Sequence, residues 1–330
     1  MSFPAVVFAG ETFPAAKDLL REVMPQARIE VADVSRGPHQ ALAAEVLIPL
    51  MSRIDGAAMD RVGGLRLIHQ WGAGIEGIDV EAATARGIAV GNVPSAVSGN
   101  ADSVAEWCVM AALALSRRLP DLQQTIREGT VWGGPLGQAL LGRTAGIVGL
   151  GGIGMALAAR LRPFGMRLIA VTRRPDAARA SDAGADWLGG IGDLPELLRR
   201  SDYVFVCLPV TPETARIIDK GAIAGMSPGA CLINAGRGAL VDEDALLQAL
   251  AEDRLAGAAL DVFAREPLPA SSRLLQERRI LATPHIAGVT DVSYDATARY
   301  LAEVVSRLAA RQPLDHCANW TAVGPSFYGS

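Results

Sequence analysis

The sequence predicts an α/β protein of two domains, each organised around a parallel sheet. Three observations carry that expectation. Short apolar runs alternate with segments of helical spacing along most of the chain, the pattern that builds parallel sheets through helical crossovers. A glycine-rich run, TAGIVGLGGIGMALAAR at 144–160, joins a strand candidate to a helix candidate through a tight turn, and it lies near the middle of the chain. Finally, 330 residues with 50% hydrophobic and 20% charged content suffice for two cores of ordinary size.

The first hundred residues supply the strand candidates AVVFAG, VLIPL, LRLIHQW and GIAVGNV, with a helical segment from Ala15 to Met24. Val93, Pro94 and the Ser/Gly/Asn segment to Asn100 break that pattern and mark a domain boundary. Helical spacing runs from Ala101 to about Gly129 and should kink or restart at Pro120. After the glycine run come RLIAVT, YVFVCLP, ACLINAG, AGAALDV and ILATP. With TAGIVGL they make six strands, the inventory of a complete Rossmann domain. The last helical segment, about Thr290 to Arg311, is expected to return to the N-terminal domain. The expected division is therefore 1–99 with 287–330 as one discontinuous domain, and 100–286 as the other. No internal repeat or low-complexity segment is visible.

A net charge of −4 and a pI near 5.7 give no sign of a nucleic-acid or anionic-membrane partner. Cys108, Cys207, Cys231 and Cys317 are far apart, without CxxC or metal-ligand spacing. They read as buried thiols of a reducing cytosol, and no metal is expected. MSFPAVVFAG lacks the basic start, sustained apolar core and cleavage site of an export signal. The stretch from Val104 to Leu115 is broken by Glu106 and is too short to cross a bilayer. A cytoplasmic protein is expected.

Gly149, Gly151 and Gly154 have the GxGxxG spacing of a dinucleotide site. The first allows the turn, the second lets the backbone approach a pyrophosphate, and the third permits close helix–strand packing. Gly152 and Ile153 open the helix, whose free amides favour phosphate. About 20 residues on, where an acid would hold the ribose of NAD, the chain has Thr172, Arg173 and Arg174. Cations there suit a 2′-phosphate, so NADP is preferred with NAD possible; two arginines at a strand end are also ordinary solvated surface. Arg237, Glu266 and His285 each follow an apolar strand at the ligand side of such a sheet. Singly each has a plain explanation: a carbonyl-binding arginine, a turn acid before Pro267, a satisfied core histidine.

Together they sit in a longer ordered set. GAGIEGID at 72–79, SVAEW at 103–107, GIVGLGGIG at 146–154, CLPVTPET at 207–214, INAGRG at 233–238, ALDVFAREPLP at 259–269 and TPHIAG at 283–288 resemble the D-isomer-specific 2-hydroxyacid dehydrogenase family. The pattern is most similar to its glyoxylate/hydroxypyruvate reductases, and the resemblance covers nearly the whole chain. It implies two Rossmann-like domains: a doubly wound parallel-sheet cofactor domain and a smaller flavodoxin-like substrate domain, with a cleft that closes on cofactor and substrate. It makes Arg237, Glu266 and His285 the catalytic set. His285 as imidazolium would protonate the carbonyl oxygen, ionised Glu266 would favour that charged form, and Arg237 would bind the carboxylate and carbonyl oxygen.

Backbone amides at Ala73 and Gly74 would hold the same carboxylate, while Leu50, Met51 and Ser52 would shape the side-chain pocket. Cofactor contacts extend to Leu208, Pro209, Ala235, Gly236, His285, Gly288 and Asp261, the last near the nicotinamide carboxamide unless it is a strand-end cap. Trp132 could reach a partner's pocket or simply pack. The segment after Asn100 resembles the family's dimerisation region, so a homodimer is expected. Two departures stand out: the basic cluster replaces the acid of NAD-specific relatives, and Glu266 departs from the amide of formate dehydrogenase. No regulatory domain is expected after Ser330, and Arg53 is the evident extra pocket cation, which lowers a phosphorylated substrate. The expected activity is reduction of a small 2-oxo acid to a D-2-hydroxy acid. The rivals are an NAD-linked phosphoglycerate or other 2-hydroxy acid dehydrogenase, and a cofactor-sensing corepressor.

Overall fold

A computed structural model describes residues 3–129 and 132–327. The chain divides into two compact units, Met1–Gly99 with Thr290–Ser330, and Asn100–Val289. The second crossing thus falls at Thr290 rather than at 287.

The first unit contains β1 (Val6–Phe8), β2 (Ile29–Val31), β3 (Leu42–Ala43), β4 (Val46–Ile48), β5 (Val62–Gly63), β6 (Leu67–His69) and β7 (Ala89–Gly91). Five of them form a parallel sheet in the order β2-β1-β4-β6-β7, while β3 and β5 form a separate parallel pair. This is the flavodoxin-like order. Alternate residues of one strand feed opposite cores. Val6, Phe8, Val46, Ile48 and Leu67 pack with Leu20, Leu301 and Val305. Val7, Leu47 and Ile68 pack with Ile54, Ile78 and Val90 on the other face. Burial on both faces is why these strands read as continuous apolar runs. The helix Asp291–Ala309, capped by the Thr290 side chain on Ser293 N–H, packs on the helix Pro14–Val23.

The second unit contains β8 (Thr144–Val148), β9 (Arg167–Thr172), β10 (Trp187–Gly190), β11 (Tyr203–Val206), β12 (Ala230–Asn234), β13 (Leu255–Leu260) and β14 (Ile280–Ala282). They form one parallel sheet, β10-β9-β8-β11-β12-β13-β14. That is the doubly wound order with a seventh strand added, and it reverses direction between β8 and β11, where open α/β sheets bind ligands. The sequence led to six strands and missed β10. Its WLGG carries two apolar residues and two glycines on a sheet edge, so it has neither alternation nor a sustained apolar run. β2 was missed for a similar reason, as a short edge strand with Glu30 in its middle.

The helical segment after Asn100 restarts as expected. One helix runs Asn100–Ser116 and the next Leu119–Glu128, with Arg118 left-handed between them (φ 53°). Pro120 lies in the first turn of the second helix, where its missing N–H breaks no intrahelical bond. No helix among the described residues is long and apolar enough to cross a membrane.

Candidate active site

In the second unit, the glycine run has the geometry its spacing promises. Gly149 follows β8 with φ 104°, and a Cβ there would lie 2.8 Å from Leu208 Cδ2 and 2.9 Å from Cys207 O. Gly151 is the N-cap of the helix Gly152–Leu161, and a Cβ on it would meet nothing within 4 Å. On Gly154 a Cβ would sit 2.2 Å from Gly149 O. One glycine makes the turn, one leaves the mouth of the helix open, and one lets the helix close on the strand. These residues therefore fit a pyrophosphate at the helix N-terminus.

Thr172 ends β9 buried, and Arg173 and Arg174 follow it exposed. Asp176, the next acid, caps the following helix by accepting from Arg179 N–H at 2.7 Å. Arg179 was not singled out from the sequence. Its Nη1 donates to Leu150 O at 2.9 Å, tying that helix to the glycine loop. Leu208 and Pro209 follow β11, where Thr214 Oγ1 donates to Pro209 O at 2.8 Å and steadies the turn.

Arg237, Glu266 and His285 come together at the carboxyl ends of β12, β13 and β14. After β12, the buried Asn234 side chain accepts from Gly236 N–H at 3.1 Å and donates to Arg237 O at 3.0 Å, folding the loop back. Ala235 and Gly236 are buried in that loop. Gly236 approaches Leu208 O, and a Cβ on Gly238 would lie 1.8 Å from the Phe263 carbonyl carbon. That contact requires glycine and seats the Arg237 loop against the loop after β13. There Glu266 Oε1 accepts from Phe263 N–H at 2.8 Å, and Oε2 lies 2.8 Å from His285 Nδ1. Burial alone would raise the Glu266 carboxyl. The His285 contact, the Phe263 amide and the Arg237 charge outweigh it and hold the group below the usual carboxylate value. An ionised acceptor fixes the proton on Nδ1.

The loop carrying His285 is clamped by Asp261, which is 1% exposed. Its Oδ1 accepts from Thr283 Oγ1 at 2.6 Å and Ile286 N–H at 2.8 Å, Oδ2 accepts from Ala287 N–H at 2.8 Å, and its carbonyl accepts from His285 N–H at 2.8 Å. His285 is held there with φ 57°. Gly288 abuts Asn100, whose Oδ1 would be 2.1 Å from an added Cβ. Among the described residues no group of three or more His, Cys, Asp or Glu could hold a metal ion.

The first unit carries the remaining candidates. Gly72 O accepts from Val93 N–H at 2.9 Å and Ala73 O from Asn92 Nδ2 at 2.6 Å. The N–H groups of Ala73 and Gly74 donate to no acceptor among the described residues, so they are available to an anion. Asn92 was missed because it acts on a backbone 19 residues away. The Ser52 hydroxyl donates to Ala9 O, Leu50 is buried, and Met51 and Arg53 are exposed. Trp132 is 95% exposed.

The profile of the family described as D-isomer specific 2-hydroxyacid dehydrogenase, NAD binding domain, matches residues 109–287. The chain is 36% identical over 317 residues to D-3-phosphoglycerate dehydrogenase of Mycobacterium bovis, covering 94% of this chain and 57% of that protein. It thus spans little more than half the length of that relative. It is 35% identical over 312 residues to glyoxylate reductase of Thermococcus gammatolerans, covering 91% of this chain and 85% of the relative. A solved NADPH-dependent glyoxylate/hydroxypyruvate reductase from Sinorhizobium meliloti, in complex with NADP and malonate, aligns with a TM-score of 0.82 at 27% identity, over 97% of this chain and 98% of that one. The chain belongs to the D-isomer specific 2-hydroxyacid dehydrogenase family.

Proposed function

We propose that the protein reduces small 2-oxo acids of the glyoxylate and hydroxypyruvate type to D-2-hydroxy acids, with NADPH preferred over NADH. The observation that carries this reading is the 2.8 Å contact between Glu266 and His285, made beside Arg237 on the loops of three adjacent strands. Gly149, Gly151 and Gly154, with the amides of the helix they open, would hold a nicotinamide dinucleotide, which would supply the hydride that the carbonyl carbon receives. His285 Nε2 gives its proton to the carbonyl oxygen, and ionised Glu266 stabilises the imidazolium that does so. Arg237 orients the carboxylate and stabilises charge growing on the oxygen. In the first unit, the amides of Ala73 and Gly74 are suited to receive a carboxylate. In the oxidative direction His285 is the base.

The cofactor preference rests on exposed Arg173 and Arg174 where an acid would favour NAD, and the Sinorhizobium relative is named as NADPH-dependent. A homodimer is part of this reading. The test is a panel of 2-oxo acids, including a phosphorylated one, assayed with both reduced cofactors. Higher kcat/KM with NADPH and an unphosphorylated short acid supports the reading; preference for NADH, or for the phosphorylated acid, sinks the corresponding half. The corepressor alternative gains if no acid is turned over.

A further inference from the structure

One side chain in the first unit joins two loops to which the proposed reaction gives different tasks. β4 and β6 are neighbours in the sheet, and their carboxyl ends run into residues 49–52 and 71–74. Gln70 is the first residue after β6. Its backbone amide donates to Gly91 O at 3.0 Å, which extends the β6–β7 pairing and fixes its place. Its side chain then works in both directions. Nε2 donates to Leu50 O at 2.9 Å, and Oε1 accepts from Trp71 N–H at 3.1 Å. A carbonyl only accepts and a main-chain amide only donates, so the partners fix which way this side-chain amide points.

Each loop is held on its far side as well. Leu50 has φ 53°, a left-handed conformation that a bulky L residue keeps only under constraint. Beyond it, Ser52 N–H donates to Pro49 O at 2.9 Å and the Ser52 hydroxyl to Ala9 O. The other loop is tied to the end of β7 through Asn92, as described above. Gln70 is the strut between these two tethered loops.

We infer that Gln70 is a positioning residue that sets substrate size. It fixes the spacing between the amides of Ala73 and Gly74, which receive the carboxylate, and the Leu50–Met51 turn, which faces the rest of the acid. The inference rests on the proposed reaction. Gln70→Glu changes one atom: a carboxylate oxygen then faces the Leu50 carbonyl, the two repel, and the strained turn moves away from the carboxylate loop. Gln70→Met keeps the length of the side chain and removes both bonds.

The experiment is steady-state kinetics of the full chain with glyoxylate and with bulky 2-oxoisocaproate. For Gln70→Glu, kcat/KM with glyoxylate should fall on the order of tenfold, through KM more than kcat. The glyoxylate to 2-oxoisocaproate ratio should shift toward the bulky acid, and KM for the reduced dinucleotide should stay put. The defect should shrink below about pH 5, where the new carboxyl regains a proton to donate to Leu50 O. A role in stability alone would lower the amount of active enzyme and leave KM and the ranking of acids unchanged. If Gln70→Glu does not fold, Gln70→Met decides by the same KM and ranking. Parental KM and ranking in the folded variants overturn the inference and leave the reaction standing. A parent chain that reduces no 2-oxo acid with either cofactor overturns the reaction, and the inference with it.

Discussion

His285 Nδ1 lies 2.8 Å from Glu266 Oε2, and the charge of that carboxylate is what the proposed reaction needs. Because Glu266 is held below its usual value, its contribution is complete above the ordinary carboxylate range and is lost only as pH falls through the lower folded value. Glu266→Gln keeps a side chain of the same shape and removes the charge. The kcat for reduction should fall by roughly tenfold or more, and the acid-side fall that follows protonation of Glu266 should be absent; superimposable pH–rate profiles for parent and variant would contradict the assignment. His69 gives a different pH effect, on stability. It is fully buried, Nδ1 donates to Gln70 O at 3.0 Å, and Nε2 has no partner among the described residues. Burial pushes its pKa from 6.5 down to about 4, opposed by that carbonyl. The unfolded chain therefore binds the proton first, so His69 lowers stability as pH falls from 6.5 to 4, by roughly 3 kcal/mol in all. His69→Leu should flatten that part of the curve in urea titrations at about pH 7 and about pH 4.5. An equal loss in both proteins would show that other groups cause it.

At the scale of elements, the loop between β14 and the helix Asp291–Ala309 depends on a carboxylate from the end of β13. Asp261 receives donors on both oxygens, so Asp261→Asn must turn an NH2 toward a main-chain N–H whichever way the amide lies. A loss of about 2 kcal/mol in urea unfolding is expected, with kcat reduced because His285 is no longer held. Unchanged stability would mean the loop has other anchors of equal strength. The sequence offered Asp261 as a nicotinamide contact or a strand-end cap, and these bonds are those of a cap; other tasks were harder to see, and the reason is general. Arg237, Glu266 and His285 could be picked out after apolar strands, but singly each had a plain explanation, and only the resemblance of the ordered motifs around them made them a set. Asn92, Gln70 and Arg179 act on backbone atoms 19, 20 and 29 residues away, and no local period encodes such a partner. Strands buried on both faces were legible as apolar runs, while edge strands β2 and β10 were not, since half-exposed short strands need no continuous apolar run.

At the scale of the whole molecule, the two-domain architecture followed from counting strands around the mid-chain glycine turn, but several large apolar side chains stay exposed among the described residues. The helix Leu119–Glu128 has no buried residue, although it carries Leu119, Leu122 and Ile126. Ile126 is 71% exposed, and nearby in sequence Leu136 is 92% and Leu141 74% exposed. Side chains of this size left in water forgo about 1.5–3 kcal/mol each relative to burial. Exposed apolar side chains of this size suit a contact surface. A second copy of this chain, related by two-fold symmetry, can cover these side chains with its own. The parent protein should therefore sediment as a dimer at micromolar concentration, and Ile126→Asp with Leu136→Asp should shift it to monomer. Neither residue touches Glu266, His285 or the glycine turn within its own unit, so the monomer should retain cofactor binding by fluorescence titration. A parent that sediments as a monomer, or a double variant that remains dimeric, would assign these side chains to some other contact.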